Sequence, residues 1–514
     1  MTLGPRPHSF ESGDDSAIPS IRARVARGSG WLTLDSIFGR VASGIAQLVL
    51  AAYLTPQDFG VYALALSTTM FARVFQDAGA RDVVVSMTDV EVKRLLGAAF
   101  WTGFATNAVI ALLLGLAALP LSSLYSEPLL QDLVWLVGLS ILASTGWSIG
   151  SSILRRQLRF KALAAVDITT SGVQFGGSVL LATLGFGVYS LLWPLVAAGI
   201  TRSALSLWLA HQAPWRLPPD FSNWRTVMAR SKWLVLSGMA MGFVAQGDYF
   251  ILGAFLSTAN LGVYFFGYQL SNQVFALVAT NAQTVLLPAL VARREEGRSH
   301  SAILAPAGGL LTSASIAISG ALVAAYGPIN ELIWNGRWAQ ATGPIVAFAW
   351  GLPLLMVYIL LRLVLITAGR YRSWTAASWM MAGGLACVAA IGGLVSNEPG
   401  YIAPAIASYL AIAGVTSGTA AVLFDGGSAA QFLATVLKPW AIGVTTSGLV
   451  FLGSRQLTES LGQGLLLAIA PLVQMSAFLL LLRMICISEL KGMIGLLPHS
   501  LHAPCRRVLL IPSQ

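Results

Sequence analysis

Fourteen apolar runs recur along the chain, separated by short polar punctuation: 31–53, 60–78, 96–119, 130–152, 162–184, 187–211, 232–256, 261–290, 302–326, 344–368, 374–395, 402–423, 438–454 and 463–486. Most approach the length of about 20 residues that a helix needs to cross a bilayer; 60–78 and 438–454 are short, and 261–290 is long enough to tilt or kink. Alternating segments of about ten residues are absent, which argues against an outer-membrane barrel. In hydrocarbon every backbone polar group must be paired, and a helix does this within one segment. Composition agrees: hydrophobic residues make up 56 % and charged residues 10 % of the 514 residues, where a soluble domain carries about 25 % charged. The mean hydropathy is +0.73. A soluble enzyme, a nucleic-acid binder and a disordered chain are therefore excluded.

The net charge of +10 has its source in topology, because Lys and Arg concentrate on the cytoplasmic side of membrane proteins. With the N-terminus inside, 25 of the 31 Lys and Arg fall in cytoplasmic loops, tails or span ends, and two, Arg337 and Arg455, fall outside. Four fall within spans: Arg40, Arg73, Arg202 and Arg362. An even number of spans returns the C-terminus to the cytoplasm. Trp31, Trp233, Trp374 and Trp440 stand at predicted cytoplasmic span starts, where an indole suits the interface. Residues 1–30 are polar, with no apolar core before a small-residue cleavage site, and read as a loose cytoplasmic arm rather than a signal peptide. The cysteines Cys387, Cys486 and Cys505 imply no disulfide framework.

Two segments match at an offset of 202: Ala-Tyr-Leu-Thr-Pro-Gln-Asp-Phe-Gly-Val-Tyr ending at Tyr62, and Ala-Phe-Leu-Ser-Thr-Ala-Asn-Leu-Gly-Val-Tyr ending at Tyr264. Each is the outer turn between the first and second span of a six-span set, with Gly60 and Gly262 opening the second helix. A six-span offset preserves orientation, so the halves are parallel repeats about an axis along the membrane normal. The expected fold is an all-α membrane protein of about 14 transmembrane helices, two six-helix bundles plus two extra helices. The expected divisions are the arm 1–30, a first bundle 31–211, a cytoplasmic linker 212–231, a second bundle 232–423, two added helices 424–486 and a cytoplasmic tail 487–514. Small-xxx-small spacings such as Gly172 to Gly176 would let neighbouring helices approach.

Chemistry-bearing motifs are sparse. There is no G-x-x-x-x-G-K-[ST], no H-E-x-x-H and no C-x-x-C, and the five histidines form no metal cluster. No cofactor or metal is expected. The largest outer loop, 327–343, is too short for a catalytic domain, so a membrane polymerase or glycosyltransferase is disfavoured and no enzyme activity is expected. What remains is intramembrane polarity, where a charge at depth costs at least about 2.5 kcal/mol. Arg40 lies about 14 Å into the first span and pairs poorly with Asp35, about 140° round the helix. Arg73 and Asp77, four apart, can pair, as can Asp167 and Arg202, at similar depths in one hairpin. Arg362 has no carboxylate near it in sequence, and Asp248 stands alone in the outer half of its span. An in-span arginine can instead snorkel to the inner interface: that is the favoured reading for Arg73, a cavity-lining role is favoured for Arg40 and Arg362, and Arg202 is balanced between the two. Gln47, Gln174, Gln246, Gln269, Asn272, Gln273, Asn281 and Gln283 add neutral polarity, those of the eighth span being more often helix–helix hydrogen-bond partners than ligands. Arg155, Arg156, Arg159 and Lys161 read as positive-inside charge, with anionic lipid contact as a minor alternative.

Tyr53, Leu54, Pro56, Phe59, Gly60 and Tyr62 in the outer turn, followed by Asp77, Ala78 and Gly79 after the second span, complete a pattern. With fourteen spans and a six-plus-six repeat, the chain resembles the polysaccharide transporter branch of the multidrug/oligosaccharidyl-lipid/polysaccharide superfamily, which holds the Wzx-type O-antigen and exopolysaccharide flippases. The resemblance covers roughly 31–486. It implies two bundles set as a V around a cavity in a bacterial inner membrane, and flipping of a polyprenyl-pyrophosphate-linked oligosaccharide from the cytoplasmic to the outer leaflet. The expected partners are that lipid-linked oligosaccharide and membrane lipids, with a polysaccharide polymerase and export machinery beside them, and no nucleic acid. Because site residues differ within the branch, candidates rest on position and chemistry. Arg40, Arg362, Arg202 and Arg73, all in the cytoplasmic half, are candidates for holding the pyrophosphate. Asp248, Asp35 and Asp167 are candidates for ion coupling or structural pairing. The alternative, a cation-coupled multidrug exporter of the same fold, is opposed by arginines that would repel a cationic drug.

Overall fold

The computed structural model describes residues 21–70, 89–217, 224–295, 301–486 and 489–490. These form fourteen helical rods and, among the described residues, no strand. The first six are α1 (Ile21–Tyr53), α2 (Pro56–Ser67), α3 (Asp89–Leu124), α4 (Leu129–Ala143, continuing as Thr145–Arg156), α5 (Phe160–Ser171, then Gly177–Thr183) and α6 (Tyr189–Leu209). The next six are α7 (Trp224–Leu252), α8 (Thr258–Glu295), α9 (Ser301–Trp334), α10 (Thr342–Leu355, continuing as Tyr358–Thr367), α11 (Tyr371–Val395) and α12 (Pro399–Phe424). Two more, α13 (Ala429–Leu461) and α14 (Gln463–Ile485), follow.

Among the described residues, eleven helices are long and apolar enough to cross a membrane, fewer than the fourteen expected runs. The other three rods fall short for separate reasons. α2 has 12 residues before the described chain stops at residue 70. α5 is divided by a π turn, Gly172–Gly176, and the amides of α8 lower its hydropathy. At 38 residues α8 is about 57 Å long, far more than a bilayer core of about 30 Å.

Several boundaries differ from the sequence reading. Helix α1 begins at Ile21, taking in ten residues assigned to a loose arm, and α7 begins at Trp224, inside the segment read as linker. α9 continues to Trp334, shortening the outer loop. In each case the helix runs on into interfacial residues that apolarity alone does not count. Gly172 and Gly176 do not serve close helix packing, since a Cβ on either meets nothing within 4 Å. They bracket the π turn instead.

Packing repeats at a six-helix offset. α1 packs on α5 as α7 packs on α11; α2 and α3 pack on α4 as α8 and α9 pack on α10; α6 packs on α4 as α12 packs on α10. The two bundles predicted as parallel repeats are therefore present, and α13 and α14 dock on α9. Many large apolar side chains, such as Leu116, Leu394, Val395 and Leu472, face outward. An apolar surface of that extent is solvated by lipid, and the chain is a multi-pass membrane protein.

The repeat motif has a structural cause. Thr55 caps α2: its hydroxyl accepts from Asp58 N at 3.2 Å and Asp58 Oδ2 accepts from Thr55 N at 2.8 Å, with Pro56 as first helical residue. Ser257 caps α8 at the equivalent position with a single bond, accepting from Asn260 N at 3.2 Å, while the Asn260 side chain donates to Asn397 O at 2.8 Å. One turn on, the helices cross. A Cβ on Gly60 would collide with the carbonyl of Thr258, and one on Gly262 with the carbonyl of Pro56. Thr258 and Pro56 are themselves equivalent at the 202-residue offset, so this contact is two-fold symmetric. The glycines lie in the second turn of α2 and α8 rather than at the first residue, and they let two backbones touch at the axis.

Candidate functional site

The bundles meet around this crossing, at the predicted outer end. Trp334 Nε1 donates to Leu48 O at 2.9 Å, Trp338 Nε1 to Ala51 O at 2.8 Å, and an Arg337 Nη1 to Ala52 O at 2.9 Å. Ala51 and Ala52 carry two of the last carbonyls of α1, which have no partner within the helix, so the α9–α10 connection of one bundle caps α1 of the other, and Leu48 O, further up the helix, takes a third donor. Trp338 is fully buried, stacked on Phe266 at 4.1 Å between centroids and edge-on to Phe59 at 5.3 Å. Tyr125 donates to Phe250 O at 2.8 Å, and the Thr258 hydroxyl donates to Glu127. A second close crossing sets Gly242 of α7 under the Met70 carbonyl, with the Thr69 hydroxyl donating to Gln246 at 3.0 Å.

Beneath the closure, at mid-depth, a crevice opens between α1, α5 and α8. It is lined by Ser43, Gln47, Gln174, Ser178, Gln269 and Gln273 with the rings of Phe59, Tyr62, Phe175 and Phe265. Its open space is about 70 Å³, room for two waters at about 30 Å³ each. Gln273 Nε2 donates to Ser43 Oγ at 2.9 Å and reaches Gln47 Oε1 at 3.5 Å. Gln47 Nε2 and Gln273 Oε1, both buried, have no hydrogen-bond partner among the described residues. Gln174 is held on the π turn of α5, a device that turns a side chain out of the regular helical register. These amides were weighed from sequence as helix–helix partners. Gln273 is one, through Ser43, and its Oε1 is buried in the crevice wall with no partner among the described residues. The side chains of Asn281 and Gln283 lie outside the described residues.

The expected charged residues separate. Arg40 lies three and seven residues before Ser43 and Gln47, hence on the same face of α1, about 10 Å toward the inner end. It is half-buried, and among the described residues it makes no hydrogen bond or ion pair. At the 202-residue offset Arg40 corresponds to Gly242. Arg202 is engaged: its Nη2 and Nε lie 2.7 and 3.2 Å from Asp167 Oδ1, and its guanidinium stacks 3.9 Å from the centre of the Trp147 ring. Asp35 interacts electrostatically with both Asp167 and Arg202. Arg362 sits on α10 one turn below Tyr358, with which it interacts electrostatically. Asp248 is buried at 3 % exposure, accepting from the Tyr264 hydroxyl at 2.6 Å and from Tyr249 N at 3.0 Å. It does not line the crevice. Arg73 and Asp77, with the Ala78 and Gly79 of the sequence pattern, fall outside the described residues.

The arrangement offers a neutral hydrogen-bonding zone with a cation below it, between the two bundles. The chain is 24 % identical over 333 residues to the succinoglycan biosynthesis transport protein ExoT of Rhizobium meliloti, covering 63 % of this chain and 65 % of that one. It is 24 % identical over 245 residues to the protein named "Probable low-salt glycan biosynthesis flippase Agl15" of Haloferax volcanii, covering 47 % of this chain and 50 % of that one. The chain thus spans a half to just under two thirds of the length of these relatives. The structure resembles that of the lipid II flippase MurJ in an inward closed conformation, with a TM-score of 0.70, 13 % identity, and coverage of 89 % of this chain and 99 % of that one. At that identity the likeness is one of fold. Residues 49–342 match the family described as polysaccharide biosynthesis protein, and the chain belongs to that family.

Proposed function

We propose that this chain flips a polyprenyl-diphosphate-linked oligosaccharide, the repeat unit of an O-antigen or exopolysaccharide, from the inner to the outer leaflet of a bacterial plasma membrane. It acts as a transporter and not as an enzyme, with both termini in the cytoplasm. Residues 31–211 and 232–423 are the two bodies that move, joined through 212–231, with 424–486 docked on the second. Transport proceeds by opening the outer closure while the inner side shuts, as expected of parallel repeats about a shared axis.

The observation that carries the reading is Arg40, a guanidinium on the crevice face of α1 with no counter-ion among the described residues. A diphosphate neutralises such a charge through paired hydrogen bonds in a medium where lipid cannot. Arg362, from the second bundle, is the proposed second contact. Arg202 is committed to Asp167, and with Asp35 it is proposed as structural pairing. Asp248, held by two donors, is proposed as a structural carboxylate. A cationic drug would meet Arg40 as repulsion. The chain's partners, beyond the lipid-linked substrate and membrane lipids, are a polymerase and export machinery that take up the flipped unit.

A strain lacking the chain should accumulate lipid-linked oligosaccharide on the cytoplasmic leaflet, and the full-length gene should clear it. Arg40→Ala should insert normally and fail to clear it, while Arg40→Lys should clear it in part, since lysine supplies charge without the fork. Full clearance by Arg40→Ala would remove Arg40 from the mechanism.

A further inference from the structure

The crevice carries chemistry that a diphosphate does not use. Two of its buried amide atoms lack partners: Gln47 Nε2, a donor, and Gln273 Oε1, an acceptor. Gln47 is 8 % exposed, and a buried unpaired amide atom is costly enough that such atoms are uncommon. An ionised phosphate oxygen would satisfy the donor and repel the acceptor. A hydroxyl satisfies both, accepting from Gln47 and donating to Gln273. Gln174, Gln269 and Ser178 extend the same neutral chemistry around the wall, and no Lys, Arg, Asp or Glu lines it. The rings of Phe59, Tyr62, Phe175 and Phe265 supply flat apolar faces against which the C–H face of a sugar ring packs.

We propose that the Gln47–Gln273 crevice is the subsite for the sugar next to the diphosphate, and that it selects an uncharged, hydroxyl-bearing residue there. This rests on the function proposed above and adds a division of labour to it. Arg40, about 10 Å below Gln47 on the same face of α1, takes the diphosphate, and the amides take the first sugar. The present opening of about 70 Å³ leaves both amide atoms covered and must widen to admit a ring. The π turn at Gly172–Gly176 borders it, and a Cβ on either bounding glycine meets nothing within 4 Å, which leaves α5 room to move.

The test is a binding comparison with the purified full-length chain and two probes, polyprenyl diphosphate and the same lipid bearing one neutral hexose. The wild type should bind the hexose-bearing lipid about tenfold more tightly, the scale of two net hydrogen bonds. Gln47→Met and Gln273→Met keep side-chain length and remove the polar atoms. Each should cut that ratio to about threefold while leaving the affinity for bare polyprenyl diphosphate unchanged, which also shows that the variants are folded. Equal binding of the two probes by the wild type, or an unchanged ratio in both variants, would overturn the sugar subsite, reduce the amides to water-binding groups and leave the flippase reading standing. Binding of neither probe by the wild type would overturn both.

Discussion

A methyl group on Gly60 would stand inside the carbonyl of Thr258, and one on Gly262 inside that of Pro56. Gly60→Ala and Gly262→Ala should each cost about 1–3 kcal/mol, the usual cost of overpacking, read as a lower melting temperature of the detergent-solubilised protein. Gly176→Ala is the contrast: its Cβ meets nothing, and alanine is the better helix former by about 1 kcal/mol, so its melting temperature should hold or rise. Equal loss in all three would deny the crossing its special status. For Asp248, the Asn variant keeps shape and removes charge. A structural carboxylate predicts that Asp248→Asn transports with the wild-type dependence on pH and ionophores; loss of that dependence would assign it to coupling. Some of this was legible in sequence. The repeat marked Gly60 and Gly262 because one geometric need, close approach at an axis, acts on both copies. Asp167 and Arg202 could be matched by depth, and they lie 2.7 Å apart. The orphan amides could not be found this way. Which atoms of Gln47 and Gln273 go unpaired depends on how α1 faces α8, and nothing within either helix records that.

Among the elements, the α9–α10 connection does the work of a latch. Arg337 and Trp338 place donors on two terminal carbonyls of α1 and Trp334 on the Leu48 carbonyl before them, and Trp338 fills the space between Phe59 and Phe266. Trp338→Ala removes both packing and a hydrogen bond, and a buried tryptophan truncated to alanine costs about 3–5 kcal/mol. The outer closure should then open. A cysteine at position 47 should resist a membrane-impermeant maleimide applied outside in an otherwise wild-type chain and react in the Trp338→Ala background. No difference between the two would place the closure elsewhere. Sequence identified the apolar centre of each helix, because burial in lipid is a composition effect. It missed the interfacial ends of α1 and α7 and the π turn in α5. Those are set by neighbours and by backbone hydrogen-bond choice, which hydropathy does not weigh.

For the whole molecule, the excess of basic residues on one side gives a direct expectation. A cysteine at Asn397 should label from outside and one at His211 only from inside; outside labelling of position 211 would reverse the orientation and with it the direction of transport. The central claim, that a lipid-linked saccharide crosses through the crevice between the bundles, is tested most directly in proteoliposomes. A fluorescent polyprenyl-diphosphate-linked oligosaccharide is placed in both leaflets, and an impermeant quencher is added outside. Protein-free vesicles should lose about half of the signal, the share in the outer leaflet. With the wild-type chain the loss should continue toward completion as inner-leaflet lipid reaches the quencher, and with Arg40→Ala it should stop at the protein-free level. Wild-type vesicles that also stop at that level would contradict the account.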